Sequence, residues 1–310
     1  MRNKNILITG GLGFIGSHIA NELLKENQVV ILDNMSTGNI NNLKDAHNEN
    51  LKIIKEDIRN TDLDELTSGI DYIFHLAAMA SVPLSIDHPV ECNDINLNAT
   101  IKLLKSAVDN DIEKIVFSSS SAVYGQNRNM PLKESEPLMP MSPYAASKAS
   151  CELYLQTFYE SYGLNYTALR YFNVFGPNQD KNSQYAAVIP NFISAILEGN
   201  PVEIYGDGEQ TRDFIYVNDV VKANINAAKS DYNGVLNVAS GEKLSINQLF
   251  EIVKKTLKSD VEPNYLPERQ GDIKHSLADT TKMSEINFNV DSNEFESQLE
   301  ETINWFKTIL

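Results

Sequence analysis

The sequence predicts an α/β protein built on a doubly wound parallel sheet, with a smaller α/β lobe attached. Three observations predict it. Short β-branched and aliphatic runs alternate with helical stretches through the first half of the chain, the pattern of strands buried on both faces by crossover helices. The first run opens directly into a glycine-rich turn, Gly10-Gly11-Leu12-Gly13-Phe14-Ile15-Gly16, and then a helical stretch. Later runs end at Asp33, Asp57, Ala77-Ala78 and Ser118 to Ser121, and an open parallel sheet binds ligands at these carboxyl ends.

Composition sets the bounds. With 310 residues and 42% hydrophobic content, the chain can bury a sizeable core as one large domain or two moderate ones. A formal charge of -16 argues against a nucleic-acid surface. Small anionic ligands stay open, because local arginines and amides hold those. The start turns polar too soon for a secretory signal, and no apolar run reaches the ~18 residues of a membrane span. A cytoplasmic protein without membrane contact is expected. Cys92 and Cys151 form no Cys-x-x-Cys, and His18, His47, His75, His88 and His275 show no ligand spacing. Buried free thiols and no metal are the expectation.

Asn5 to Thr9 is the first strand, bounded by glycine. In the turn after it, the first glycines permit a tight bend and close approach of backbone to a pyrophosphate. Gly16 lets the next helix, Ser17 to Lys25 with Ile19, Leu23 and Leu24 apolar, pack on the strand with its amides toward the anion. The spacing also fits an ordinary βα turn, and the strand-turn-helix context favours the dinucleotide site. Gln28 to Leu32 is the second strand. It ends at Asp33, whose carboxylate would accept both adenosine-ribose hydroxyls and repel a 2′-phosphate, favouring NAD over NADP. Asn34, Ser36, Thr37 and Gly38 continue as a polar loop on that edge. The third strand, Leu51 to Lys55, leads to Asp57, which either accepts from the adenine amine or caps the next helix.

Asp71 to Leu76 is the fourth strand, and Ala77 and Ala78 leave room there for a flat cofactor. His75 is expected to be packed, not catalytic. Pro89 to Val108 reads as one long helix, with Asn98 interrupting its apolar face. The fifth strand, Lys114 to Phe117, delivers the serine run. Gly125 to Met141 holds Pro131, Pro137 and Pro140 and is a loop that returns the chain over the site. Then Ser142-Pro143-Tyr144-Ala145-Ala146-Ser147-Lys148 opens a helix that sets a phenol and an ammonium one turn apart on one face. A lysine charge near a tyrosine hydroxyl favours the phenolate. Tyr144 is therefore expected to titrate below its usual ~10 and to serve as a base near neutral pH.

Asn165 to Leu169 is strand-like and gives Arg170 to Pro177. Beyond Gly176 the alternation becomes irregular. The division expected is 1–175 for the dinucleotide domain, with segments returning at about 213–240, and 176–212 with 241–310 for a substrate lobe. The tail, Phe295 to Phe306, carries Leu299, Ile303 and Phe306 at helical spacing and reads as core.

These residues together resemble the extended short-chain dehydrogenase/reductase family, and within it the nucleotide-sugar 4-epimerases. The resemblance rests on Thr9 to His18, Asp33-Asn34, His75 to Ala78, Ser118 to Ser120, Tyr144-x-x-x-Lys148 and Arg170 to Pro177, and it covers almost the whole chain. It implies a Rossmann fold and Tyr144 as base, Lys148 on the nicotinamide ribose, and Ser120 on the reacting sugar oxygen. The cofactor contacts implied are Gly10, Gly13, Phe14, Ile15, Gly16, Asp33, Asn34, Ser36, Thr37, Gly38, Asp57, Ile58, Leu76, Ala77, Ala78, Asn98, Ser118, Tyr144, Lys148 and Tyr171. Asn173, Arg212 and Arg269 would grip a nucleotide diphosphate, a task that suits the arginine fork. Taken singly, either arginine also fits a surface ion pair. Ala187, Val188 and Phe192 match a uracil pocket and Asp272 a ribose contact, and Ser81, Ser121 and Ser276 fall around the sugar.

The reaction implied is 4-epimerisation of a UDP-sugar through a 4-keto sugar, with bound NAD and no net redox change. Dehydratases and UDP-glucuronate decarboxylases of this fold carry acids after the strand-five hydroxyl, and Ser121-Ala122-Val123 has none. A non-catalytic NAD sensor would not need Tyr144, and a releasing NADPH reductase is disfavoured by Asp33. Ser276 stands where hexose-only epimerases have a tyrosine, so an N-acetyl group fits and UDP-N-acetylglucosamine is the expected substrate, alongside UDP-glucose. A small loop serine that selects nothing is the alternative. The family is commonly a homodimer through the helices near Pro89 to Val108 and Ser142 to Tyr162.

Overall fold

The computed structural model describes residues 1–180, 188–268 and 273–310. Its first half runs β1 (Asn5–Thr9), α1 (Phe14–Leu23), β2 (Gln28–Leu32), β3 (Leu51–Ile54), α2 (Leu63–Thr67), β4 (Tyr72–His75), α3 (Val82–Asp87), α4 (Pro89–Asn93), α5 (Ala99–Asp109) and β5 (Lys114–Ser120). The second half runs α6 (Pro143–Tyr162), β6 (Tyr166–Tyr171), β7 (Asn173–Phe175), α7 (Val188–Leu197), β8 (Val202–Tyr205), β9 (Thr211–Arg212), β10 (Phe214–Tyr216), α8 (Val217–Lys229), β11 (Gly234–Val238), β12 (Leu244–Ser245), α9 (Ile246–Leu257), β13 (Pro263–Leu266) and α10 (Phe295–Phe306).

Seven strands form one parallel sheet in the order β11-β6-β5-β4-β1-β2-β3. Ile6, Leu7 and Ile8 on β1 are wholly buried, as a strand covered on both faces requires. One apolar layer joins the sheet to α1 and α8, and another joins it to α2, α5 and α6. The chain reverses its strand order between β1 and β4, and the crevice outside their carboxyl ends is where such a sheet takes a ligand. A third apolar cluster gathers α7, α9 and α10 around Phe192, Phe250 and Phe306. Two-stranded pairs β7/β10, β8/β13 and β9/β12 lie outside the main sheet.

Local chemistry explains the element that matters most. Ser142 caps α6 by accepting from the Ala145 amide at 3.2 Å, and Pro143 takes the first position, where its missing N–H costs nothing. The helix stops at Gly163, in the left-handed region at φ 75°.

Two differences from the sequence expectation bear on the site. β5 continues through Ser120, because Ser118, Ser119 and Ser120 pair with Leu169, Arg170 and Tyr171 of β6, and partner pairing outweighs the weak strand preference of serine. The helix expected over 89–108 is split by a π-turn at Asp94–Asn98 between α4 and α5. Within that turn Asn98 points outward and donates to Asp94 Oδ1 at 2.7 Å. Asn96, two residues earlier and so on the opposite side of the turn, is the asparagine that is buried.

Candidate active site

The glycine turn lies against two strands at once. A Cβ on Gly16 would come 2.2 Å from the Gly10 carbonyl oxygen, and one on Gly10, at φ 71°, would come 2.8 Å from the Ala77 amide nitrogen. Only glycine fits at either position. The α1 N-terminus has no side-chain cap and no acidic residue in its first turn. Its first amides therefore remain for an anion. Asp33 is buried at the end of β2, where Oδ2 accepts from the Leu12 amide at 2.9 Å and Oδ1 from the Met35 amide at 2.7 Å. The carboxylate thus fixes the loop it faces, and each oxygen keeps a lone pair for a further donor.

β5 and α6 bring the serine run to the tyrosine. Ser120 caps the turn that follows β5 by accepting from the Ala122 amide at 3.2 Å, and its hydroxyl also reaches Tyr144. Lys148 is almost fully buried, and its ammonium donates to the Ser118 carbonyl at 2.6 Å while lying 4.6 Å from the Phe117 ring centroid. Burial pushes that ammonium down to about 8. Tyr144 departs from the expectation: burial pushes its phenol above its ordinary value, and the Ser120 hydroxyl acts the other way. The spacing put Tyr144 and Lys148 on one face, but the ammonium bonds backbone and the phenol is half-buried. Desolvation outweighs the help. Asn96 ties this helix to the loop after β4, accepting from the Met79 amide at 2.7 Å and donating to Ser147 Oγ at 3.0 Å.

A cavity of about 290 Å³ opens between β7, α7 and β8 to β10. Asn173, Val188, Phe192 and Arg212 line it, together with Tyr205 and Gln210. The Arg212 guanidinium donates to the Thr211 carbonyl at 3.0 Å, and the Ser276 amide donates to the same carbonyl at 3.1 Å. Ser276 is therefore placed against the strand that carries Arg212.

A profile of the NAD dependent epimerase/dehydratase family matches residues 6–239. The chain belongs to the NAD dependent epimerase/dehydratase family. Among solved structures, the chain is similar to the UDP-N-acetylglucosamine 4-epimerase from Methanobrevibacter ruminantium in complex with UDP-N-acetylmuramic acid. That match is 59% identical with a TM-score of 0.99, over 100% of both chains. It is also similar to the UDP-glucose 4-epimerase of Thermotoga maritima with UDP-glucose, at 38% identity and a TM-score of 0.93 over 98% of this chain and 99% of that one. A third is the UDP-glucose 4-epimerase of Thermus thermophilus in complex with NAD, 33% identical with a TM-score of 0.89 over 99% of this chain and 100% of that one.

The residues of this epimerase/dehydratase-family chain fit the dinucleotide its family name specifies. The turn that only glycine can make, the open amides of α1 and the Asp33 oxygens all meet at the switch between β1 and β4. Gly38 lies against the Asp33 carboxylate, and Asn34 donates to Asp57 at 3.2 Å on the same edge, beside Ser36 and Thr37. Asp57 does not cap the next helix, for Asp62 does that. Its carboxylate instead takes Arg59 Nη2 at 2.8 Å, which holds it down at about 2. Ile58 is buried in the core, Leu76, Ala77 and Ala78 line the end of β4, and the Tyr171 hydroxyl donates to Asn224 Oδ1 at 2.9 Å. Asn98 lies on the π-turn with its side chain exposed, donating to Asp94 Oδ1. Ser81 caps α3, and Ser121 is half-buried just past Ser120. His75 is enclosed by Thr9 Oγ1 at 2.6 Å and Thr100 Oγ1 at 2.8 Å, and burial pushes it down to about 3.

Ala187, Arg269 and Asp272 lie outside the described residues. Sequence reasoning missed Tyr205, Gln210 and Gln179. Gln210 donates to the Tyr205 carbonyl at 2.8 Å, and Gln179 Oε1 is buried at the cavity without a partner among the described residues. An aromatic residue closing a strand just before a glycine, Tyr205-Gly206, was the available signal.

Proposed function

We propose that this chain is an NAD-dependent 4-epimerase of UDP-sugars, converting UDP-N-acetylglucosamine and UDP-N-acetylgalactosamine, and also UDP-glucose and UDP-galactose. The observation that carries the reading is the Lys148 bond to the Ser118 carbonyl, 2.6 Å, which sets α6 and its Tyr144 against the serine run at the carboxyl end of β5.

Gly10, Gly13 and Gly16 admit the pyrophosphate of NAD, the first turn of α1 (Phe14, Ile15) donates to it, and Asp33 accepts from the adenosine ribose. NAD held there would supply the acceptor and then the donor of the hydride at sugar carbon 4, so the reaction would be redox-neutral. Ser120 holds the 4-oxygen, and Tyr144 takes its proton and later returns it. A phenol raised by desolvation needs a cation near it to ionise, and Lys148, buried one turn away on α6, is that cation. Asn173 and Arg212 hold the diphosphate, while Val188 and Phe192 enclose the base. Ser276, placed next to the Arg212 strand, leaves room for the N-acetyl group. Glu152, the carboxylate that touches the serine run, is committed to Arg170 and Ser119, so it is no acid for dehydration.

We also assign a cytoplasmic homodimer. Among the described residues no helix is long and apolar enough to cross a membrane. Val90, 75% exposed on α4, Leu153, 61% exposed on α6, and Leu84 and Ile86, exposed on α3, stand on three helices that pack on one another, and we read them as one apolar face. Such a face marks a protein contact.

The test is to incubate the purified protein with UDP-N-acetylglucosamine, without added NAD, and follow its 4-epimer. Tyr144→Phe should lower kcat by about a thousandfold with KM little changed. Turnover at the parent rate would remove the reading.

A further inference from the structure

We propose that Asp213 is a positioning residue for UDP binding, a single carboxylate that sets the frame in which Arg212 and Asn173 are held. This rests on reading those two side chains as the diphosphate's partners.

Asp213 is wholly buried between β9 and β10. Successive residues of an extended chain face opposite ways, so while Arg212 lines the cavity, Asp213 turns behind it. There it gathers four donors from two distant segments. Oδ1 accepts from the Ser240 amide at 2.9 Å and the Ser240 hydroxyl at 2.7 Å. Oδ2 accepts from the Gly241 amide at 3.1 Å and the Ala278 amide at 3.2 Å. Gly241 adopts φ 77°, a left-handed turn that glycine makes without strain. On the main chain, the Asp213 carbonyl accepts both the backbone amide of Asn173, at 3.1 Å, and its side-chain amide, at 2.9 Å. One residue therefore joins Arg212, Asn173, the turn after β11 and the stretch from Ser276 to Ala278.

The choice of a carboxylate is informative. Every partner of its two oxygens is a neutral dipole, and burial outweighs all four bonds, pushing the group up to about 6. An apolar residue at this position would leave those buried donors without an acceptor, at a cost of about 1–3 kcal/mol each. What a carboxylate adds is two acceptor oxygens for four converging donors; an asparagine has one, and turns an N–H toward the other pair. The order so imposed falls on the groups that would meet phosphate, where misplacement by about 1 Å is costly.

The inference is tested with the full-length protein, using UDP as probe. Asp213→Asn should raise the UDP Kd and the UDP-sugar KM by about tenfold, with kcat changed less than about threefold and NAD affinity unaltered. Ser240→Ala, which removes one of the four donors, should shift the UDP Kd the same way by about two- to threefold. Asp213→Asn with parental UDP affinity, or with UDP and NAD affinity falling together, overturns the inference. If that variant does not fold, an unchanged UDP Kd in Ser240→Ala overturns it. Arg212→Ala separates the two levels. Undiminished UDP binding there sinks the diphosphate reading, whereas a loss there beside an unaffected Asp213→Asn sinks only the role given to Asp213.

Discussion

Replacing Glu152 by glutamine removes one charge from a pair that has almost no contact with water. Glu152 lies on α6 one turn beyond Lys148, and Arg170 lies on β6, each less than 5% exposed. Arg170 Nε and Nη2 donate to the two carboxylate oxygens at 2.9 and 2.6 Å, and Ser119 Oγ donates to Oε1 at 2.5 Å. The guanidinium also lies 4.7 Å from the Tyr124 ring centroid. Glutamine fills the same space, but its single carbonyl oxygen cannot serve all three donors, and its amide would confront the guanidinium with an N–H. The buried cation is left uncompensated. Breaking such a pair from one side costs about 3–5 kcal/mol. At about 2 °C per kcal/mol for a chain of this size, Tm should fall by roughly 6–10 °C. Ser119 sits between the serine whose carbonyl holds Lys148 and the serine that reaches Tyr144, so kcat should also fall, by about tenfold. Thermal unfolding monitored by circular dichroism, with epimerase turnover beside it, measures both. The double variant Glu152→Gln/Arg170→Met should regain most of the lost Tm, because it removes the stranded charge. A single-variant shift under about 2 °C, or a double variant no better than the single one, would refute the reasoning.

Two further outcomes are expected. Lys148 is held at about 8 against its ordinary 10.5, so the unfolded chain binds the proton more tightly. Fold stability should therefore rise with pH between about 8 and 10, by up to about 3 kcal/mol; Lys148→Met should lose that slope in urea titrations, and a slope equal to the parent's contradicts the assignment. Ser276→Tyr should lower kcat/KM for UDP-N-acetylglucosamine by at least about tenfold while UDP-glucose stays within about threefold. An equal loss for both sugars counts against Ser276 as the selector.

The alternation of buried strands and helices, the glycine turn, the end of β2 at Asp33 and the pairing of Tyr144 with Lys148 on one helical face were legible in the sequence. Each depends on residues no more than a few positions apart, where chain period and steric limits decide the outcome. Tertiary structure alone decided the rest. It enclosed His75 between Thr9 and Thr100, brought Asn96 onto Met79 and Ser147, and lifted the Tyr144 phenol through partial burial. It also drew Ser240, Gly241 and Ala278 onto Asp213. Burial and converging hydrogen bonds arise between segments separated by tens of residues, and no local pattern in the chain records which of them will meet.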